Sequence, residues 1–134
     1  MITLTRRALP ALLASLALGG EGRAGAFASA SRGPELLMFE RQGCAWCIRW
    51  EREIAPVYGL TDEGKQAPLR RINVDNGAPS HAEVGSVLKT QVLFTPTFVL
   101  VNKGREIGRI TGYMNPEQFW GLLGTLVAAM REAS

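Results

Sequence analysis

The chain carries two cysteines in 134 residues, and two residues separate them in Gly43-Cys44-Ala45-Trp46-Cys47. Such a pair restricts both the chemistry and the fold around it. A structural staple is a weak reading, because the stabilisation from closing a loop grows with loop length, and a two-residue spacer restrains the unfolded chain very little. A closed zinc site needs four ligands, and His81, the single histidine, is the one further strong nitrogen or sulfur donor. An iron-sulfur cluster fails on the same count. The pair is therefore read as a redox dithiol, with two metal-ligating thiols kept as the reading from another class.

The flanking residues give the pair a structural setting. Glu35-Leu36-Leu37-Met38-Phe39-Glu40 holds four consecutive apolar residues, as a strand buried on both faces of a sheet does. After the pair, Cys47, Trp50 and Ile54 recur at i, i+3 and i+7, while Arg49, Glu51, Arg52 and Glu53 fill the remaining surface. This is the pattern of an amphipathic helix ending before Pro56. Cys44 then falls at the helix N-terminus, where unpaired N-H groups and the positive end of the helix dipole stabilise a thiolate. Cys47, one turn further in, is placed to be the more buried, resolving thiol. Trp46 lies between them, where a large aromatic shapes a substrate groove.

Further along, Pro68-Leu69-Arg70-Arg71-Ile72-Asn73-Val74 reads as a strand, and Asp75-Asn76-Gly77-Ala78-Pro79 as a turn. Ser80-His81-Ala82-Glu83 matches a capping box and predicts a helix to about Thr90, which Gly85 weakens. His81 reads as a solvated surface residue. Thr97 to Asn102 is the clearest strand, and Lys103-Gly104 turns it into a second strand from Arg105 to Ile110. Asn115-Pro116-Glu117 opens a last helix with an apolar face of Phe119, Leu122, Leu123, Leu126, Val127 and Met130.

The first 30 residues read as an address rather than as fold. Thr5-Arg6-Arg7 is a basic start, residues 8–20 form an apolar run containing Pro10, and Ala26-Phe27-Ala28-Ser29-Ala30 offers small-x-small cleavage sites. This is the order of a secretory signal, too short in its apolar run for the roughly 20 residues of a spanning helix. Retention as an N-terminal anchoring helix is the alternative, and the arginine pair leaves the route, Sec or twin-arginine, open. The expected organisation is a signal peptide over 1–30 and one domain over 31–134, the mature chain being exported to the periplasm. The net charge of +3 does not point to nucleic acid. Arg6, Arg7 and Arg23 all belong to the leader, which has one acid, Glu21, so the domain is nearly neutral.

Cys-x-x-Cys at the start of the first helix, Thr95-Pro96 before the hairpin and Gly112 after it together resemble the thioredoxin fold over residues 34–132. The resemblance implies an α/β domain with a central mixed sheet of four strands, in the order β-α-β-α-β-β-α, flanked by helices. It also implies that Pro96 is cis and faces the dithiol, with the Thr95 backbone free to pair with a substrate chain. Catalytic roles would fall on Cys44 and Cys47, and the substrate groove on Trp46, Thr95 and Pro96. Two departures matter: Ala45-Trp46 replaces the Gly-Pro spacer of cytosolic thioredoxins, and Met38 stands where they bury an aspartate. A proton acceptor for Cys47 must then be found elsewhere, with Glu40 or water as candidates.

Residues 39–44, Ile54-Ala55-Pro56-Val57-Tyr58, Gly112-Tyr113 and Phe119-Trp120-Gly121-Leu122-Leu123 are similar to the exported thioredoxins of bacterial sulfur-oxidation (Sox) systems, the SoxS group. That group's implied task is reductive reactivation of a carrier protein that holds sulfur intermediates on a cysteine. The expectation is a monomeric thiol-disulfide reductase with no cofactor or metal and no nucleic acid. Its partners would be a protein substrate bearing a disulfide or cysteine adduct and a membrane electron donor that reduces Cys44-Cys47. An isomerase or oxidant of folding proteins and a Cys-based metal chaperone are the alternatives. Against the first, isomerases of this fold commonly add a dimerisation domain; against the second, no methionine or histidine adjoins the thiols, although Met38 and Met114 have room to approach in space.

Overall fold

A computed structural model describes residues 32–79, 84 and 86–134. The signal peptide expected over 1–30 and the capping box at Ser80-His81-Ala82-Glu83 lie outside the described residues. In chain order the elements are strand β1 (Glu35–Glu40), helices α1 (Ala45–Glu53), α2 (Ala55–Tyr58) and α3 (Asp62–Gln66), strands β2 (Leu69–Asn73), β3 (Thr97–Asn102) and β4 (Arg105–Thr111), and helix α4 (Pro116–Glu132). The fold is the α/β, thioredoxin-like arrangement expected from the sequence, with a four-stranded mixed sheet and flanking helices.

The sheet order is β2-β1-β3-β4, so the apolar run at Leu36–Phe39 occupies an interior strand. It runs parallel to β2, with Met38 opposite Arg71, and antiparallel to β3, with Met38 opposite Phe98. Strand alternation then divides the core. Leu36 and Met38 join Cys47, Trp50, Phe98, Phe119 and Leu123 on one face, while Leu37 and Phe39 join Ile72, Val74, Val99 and Val101 on the other. The β3–β4 turn takes Lys103 and Gly104 at φ of 52° and 74°, the doubly left-handed pair that matches the twist of a two-residue hairpin.

Helix α4 begins as expected: Asn115 Oδ1 accepts the Gln118 N-H at 2.9 Å, with Pro116 in the first turn. Phe119, Leu123, Val127 and Met130 are buried, but Leu122 faces outward at 43% exposure. The apolar stripe is narrower than its composition suggests because Leu122 lies about 100° around the helix from Leu123. Helix α1 stops before Pro56, yet the chain resumes a helical turn in α2 with Pro56 near its start, where its missing N-H is no loss. Neither α2 nor α3 is long enough to show a helical period in sequence. The Tyr58 hydroxyl donates to Ala67 O at 2.6 Å and ties the two together.

The helix predicted to run on to about Thr90 does not do so. Residues 86–90 are turn and irregular, and their backbone is claimed by strand β4 instead. Glu106 N donates to Val87 O at 3.1 Å, and Lys89 N to Glu106 Oε2 at 2.7 Å. Arg109 pairs with the same carboxylate at 2.7 Å and donates to Thr90 O at 3.0 Å. Glu106 and Arg109 thereby hold the segment that leads to Thr95-Pro96. Burial by itself would raise the Glu106 pKa, but the Arg109 guanidinium and the Lys89 N-H together hold it below its ordinary value.

A carboxyl depressed in this way stabilises the fold above the ordinary value of 4.5, and loses that contribution as pH falls through its folded pKa. Glu106→Gln should therefore lower stability by about 2 kcal/mol at neutral pH. The difference should shrink toward zero in acid, which paired urea titrations at the two pH values would read.

Candidate active site

The register of the sheet decides what meets at its end. Phe39 of β1 lies opposite Thr97 of β3, and Thr97 lies opposite Thr111 of β4. The C-terminal end of β1, the segment entering β3 and the segment leaving β4 therefore share one edge. The first leads to the dithiol, the second contains Thr95-Pro96 and the third contains Gly112-Tyr113-Met114.

Beyond β1 the chain turns sharply at Gly43, whose φ of 74° suits glycine. Asp75 Oδ1 accepts the Gln42 N-H at 2.9 Å and anchors the turn to the end of β2. Cys44 is the N-cap of α1, with extended φ and ψ, and its Sγ accepts the Cys47 N-H at 3.2 Å. That is the position of a capping serine or aspartate, so the helix directs a free N-H at this sulfur. Cys44 and Cys47 are joined in a disulfide with Cα atoms 5.2 Å apart. Cys47 is 5% exposed and packs in the core with Met38 and Trp50, whereas Cys44 is half-buried at the rim. The sulfur at the helix start is thus also the one a substrate can approach.

Trp46, between the cysteines, is 52% exposed. The Thr95-Pro96 peptide bond is cis, with Thr95 half-buried and Pro96 buried. Gly112 N donates to Pro96 O at 2.8 Å, and Thr97 Oγ1 to Phe94 O at 2.7 Å, which pins the segment on both sides. Leu93, Phe94 and Met114 are exposed in these same segments. Among the described residues no group of three His, Cys, Asp or Glu side chains is placed to hold a metal ion. Met38 is fully buried and Met114 is 60% exposed.

Two polar clusters escaped the sequence reading. In the first, Arg71 pairs with Glu40 at 3.2 Å and with Glu51, and its guanidinium lies 5.7 Å from the Trp50 ring centroid. Glu40, a candidate acceptor for the Cys47 proton, is thus held by a cation. In the second, Arg49 Nε donates to Glu53 Oε1 at 2.9 Å, and the buried Tyr113 donates its hydroxyl to Glu53 Oε2 at 2.5 Å. Arg49 also lies 5.8 Å from the Trp46 ring centroid. The Tyr113 hydroxyl and Arg49 hold the Glu53 carboxyl below its ordinary range, while burial and Glu53 push the Tyr113 phenol up. The i, i+4 spacing of Arg49 and Glu53 was a visible signal. Nothing local linked Tyr113 to them across 60 residues.

Residues 26–126 match the family model of a thioredoxin-like domain. No curated protein sequence matches the chain. Among solved structures it is similar to the periplasmic thioredoxin SoxS of Paracoccus pantotrophus in its reduced form. The two are 44% identical over 72% of this chain and 98% of that one, with a TM-score of 0.65. The thioredoxin of Malassezia sympodialis is 22% identical over 74% of this chain and 81% of its own, at a TM-score of 0.51. That of Fasciola hepatica is 23% identical over 74% and 86%, also at 0.51. The last two bear on the fold alone.

Proposed function

Since the chain belongs to the thioredoxin-like domain family and is a thiol-disulfide oxidoreductase, we propose that it reductively clears adducts from the cysteine of a sulfur-carrier protein. In this reading residues 1–30 are a signal peptide, and the domain 31–134 works in the periplasm as a monomer. The observation that carries it is the 44% identity to the periplasmic thioredoxin SoxS across nearly all of that chain.

In the reduced enzyme the Cys44 thiolate attacks the carrier's cysteine sulfur. The carrier-adduct S-S bond breaks, and the adduct leaves on its own sulfur with the electron pair. The Cys47 thiolate then attacks Cys44 Sγ, the carrier thiolate departs and takes up a proton, and the enzyme is left as the Cys44-Cys47 disulfide. Two electrons from a membrane donor reset it. Trp46, Thr95 and Pro96 line the groove, where the Thr95 backbone pairs with the extended substrate chain.

The reductive direction is supported by what stabilises the Cys44 thiolate. The donor at its sulfur is a backbone amide, the Ala45-Trp46 spacer contributes no cation, and the Arg49 charge is engaged by Glu53. Modest thiolate stabilisation gives a less stable dithiol and a more reducing couple. The potential should lie nearer thioredoxin's, about −270 mV, than that of the strong periplasmic oxidant, about −120 mV. A Cys47→Ser variant expressed in the native periplasm should capture a carrier protein as a mixed disulfide. Capture of a broad set of newly exported proteins, with a potential above about −150 mV, would instead identify a folding oxidant and overturn the proposal.

A further inference from the structure

The Arg49-Glu53-Tyr113 cluster joins the two halves of the site through side chains that do not themselves react. At one end Arg49 stacks against Trp46, between the cysteines. At the other end Tyr113 follows Gly112, whose N-H holds the Pro96 carbonyl, and precedes the exposed Met114. Glu53 is the hub, with one carboxylate oxygen on Arg49 and the other on Tyr113. Tyr113 is 5% exposed and packs edge-on to Phe119 at 6.2 Å, so the loop end of this chain rests on the core. We propose that Glu53 is a positioning residue that pre-organises the substrate groove for an extended peptide, by fixing the Trp46 ring and the Gly112–Met114 loop on either side of the dithiol.

This deepens the reading of Cys44-Cys47 as the exchange centre and rests on it. A half-exposed indole and an exposed loop lose conformational freedom when they are ordered on binding. A groove already tied through Glu53 has met that cost during folding. Cutting the tie should therefore weaken engagement of a peptide and leave the sulfur chemistry as it was. It should not matter to a disulfide too small to touch both walls.

The test uses one leaving group on two carriers: thionitrobenzoate as a mixed disulfide with the single cysteine of an extended peptide, and the symmetric thionitrobenzoate disulfide alone. In each case Cys44 bonds to the sulfur left behind, thionitrobenzoate departs as its thiolate, and Cys47 then releases the second thiol as the dithiol becomes a disulfide. Single-turnover rates of the reduced enzyme against peptide concentration separate half-saturation from the limiting rate. Tyr113→Phe and Glu53→Ala should each raise the half-saturation concentration about fivefold, with the limiting rate and the small-disulfide rate within about twofold of the parent.

The double variant should resemble Glu53→Ala rather than multiply the two effects, because both act through one contact. Three results would overturn the proposal: half-saturation unchanged while only thermal stability falls, multiplicative effects in the double variant, or a parallel loss against the small disulfide. Absence of Cys44-dependent thionitrobenzoate release from the parent enzyme would instead strike down the underlying assignment of the dithiol.

Discussion

Cys44→Ser should abolish disulfide exchange, with a rate at least about a thousandfold below that of the parent enzyme, because a serine hydroxyl is not ionised at neutral pH and supplies no thiolate. Cys47→Ser should keep the attack and lose the release, accumulating the mixed disulfide. The asymmetry comes from position. Cys44 caps α1 and receives the Cys47 N-H, which lowers a thiol's pKa from its usual value of about 8.5. Cys47 is buried among Met38 and Trp50, and burial in apolar surroundings acts in the opposite direction.

Iodoacetamide titration of the two single variants measures this directly. Cys44 in Cys47→Ser should alkylate rapidly at neutral pH, with its midpoint below the ordinary thiol value. Cys47 in Cys44→Ser should react slowly and only in more alkaline solution. Faster alkylation of Cys47 would reverse the roles.

What could be read from sequence depended on how far apart the interacting residues lie. The β1 run, the Lys103-Gly104 turn and the Asn115 cap are decided within a few residues, and all three appear where the pattern placed them. The placement of Cys44 at a helix start is of the same kind, since Gly43 and the Cys47-Trp50-Ile54 spacing are local. The Glu106 hold on residues 87–90 is not local. It depends on a carboxylate buried from a strand that looks half-polar in sequence, and it keeps residues 86–90 out of the helix that was expected to run to about Thr90.

The Glu53-Tyr113 tie depends on where the end of α1 lies relative to the β4–α4 connection, which no periodicity encodes. Arg70 and Arg71 are two consecutive charges inside the β2 segment, and they pair with Glu35 and Glu40 on the neighbouring strand. Once the β1–β2 register is known, these charges read as cross-strand partners rather than as breaks in a strand.

Trp50→Ala should be the most destabilising single change among the core residues that support the site, costing about 4 kcal/mol. The Trp50 side chain is fully buried, with its ring 5.3 Å from Phe98, 5.8 Å from Phe119 and 6.3 Å from Tyr58. It belongs to α1, the helix that carries both cysteines at its start, and it joins that helix to the sheet and to α4. Removing the indole leaves a cavity that three large rings cannot collapse to fill. Trp50→Phe should cost much less, about 1–2 kcal/mol. It keeps a ring against the same neighbours, and the Nε1-H has no acceptor among the described residues, so no hydrogen bond to them is forfeited. Urea midpoints of the oxidised proteins would give both numbers. Equal losses for the two variants would mean that the indole's polar edge, through Arg71 or solvent, matters more than its volume, and would remove the packing account of how α1 is held.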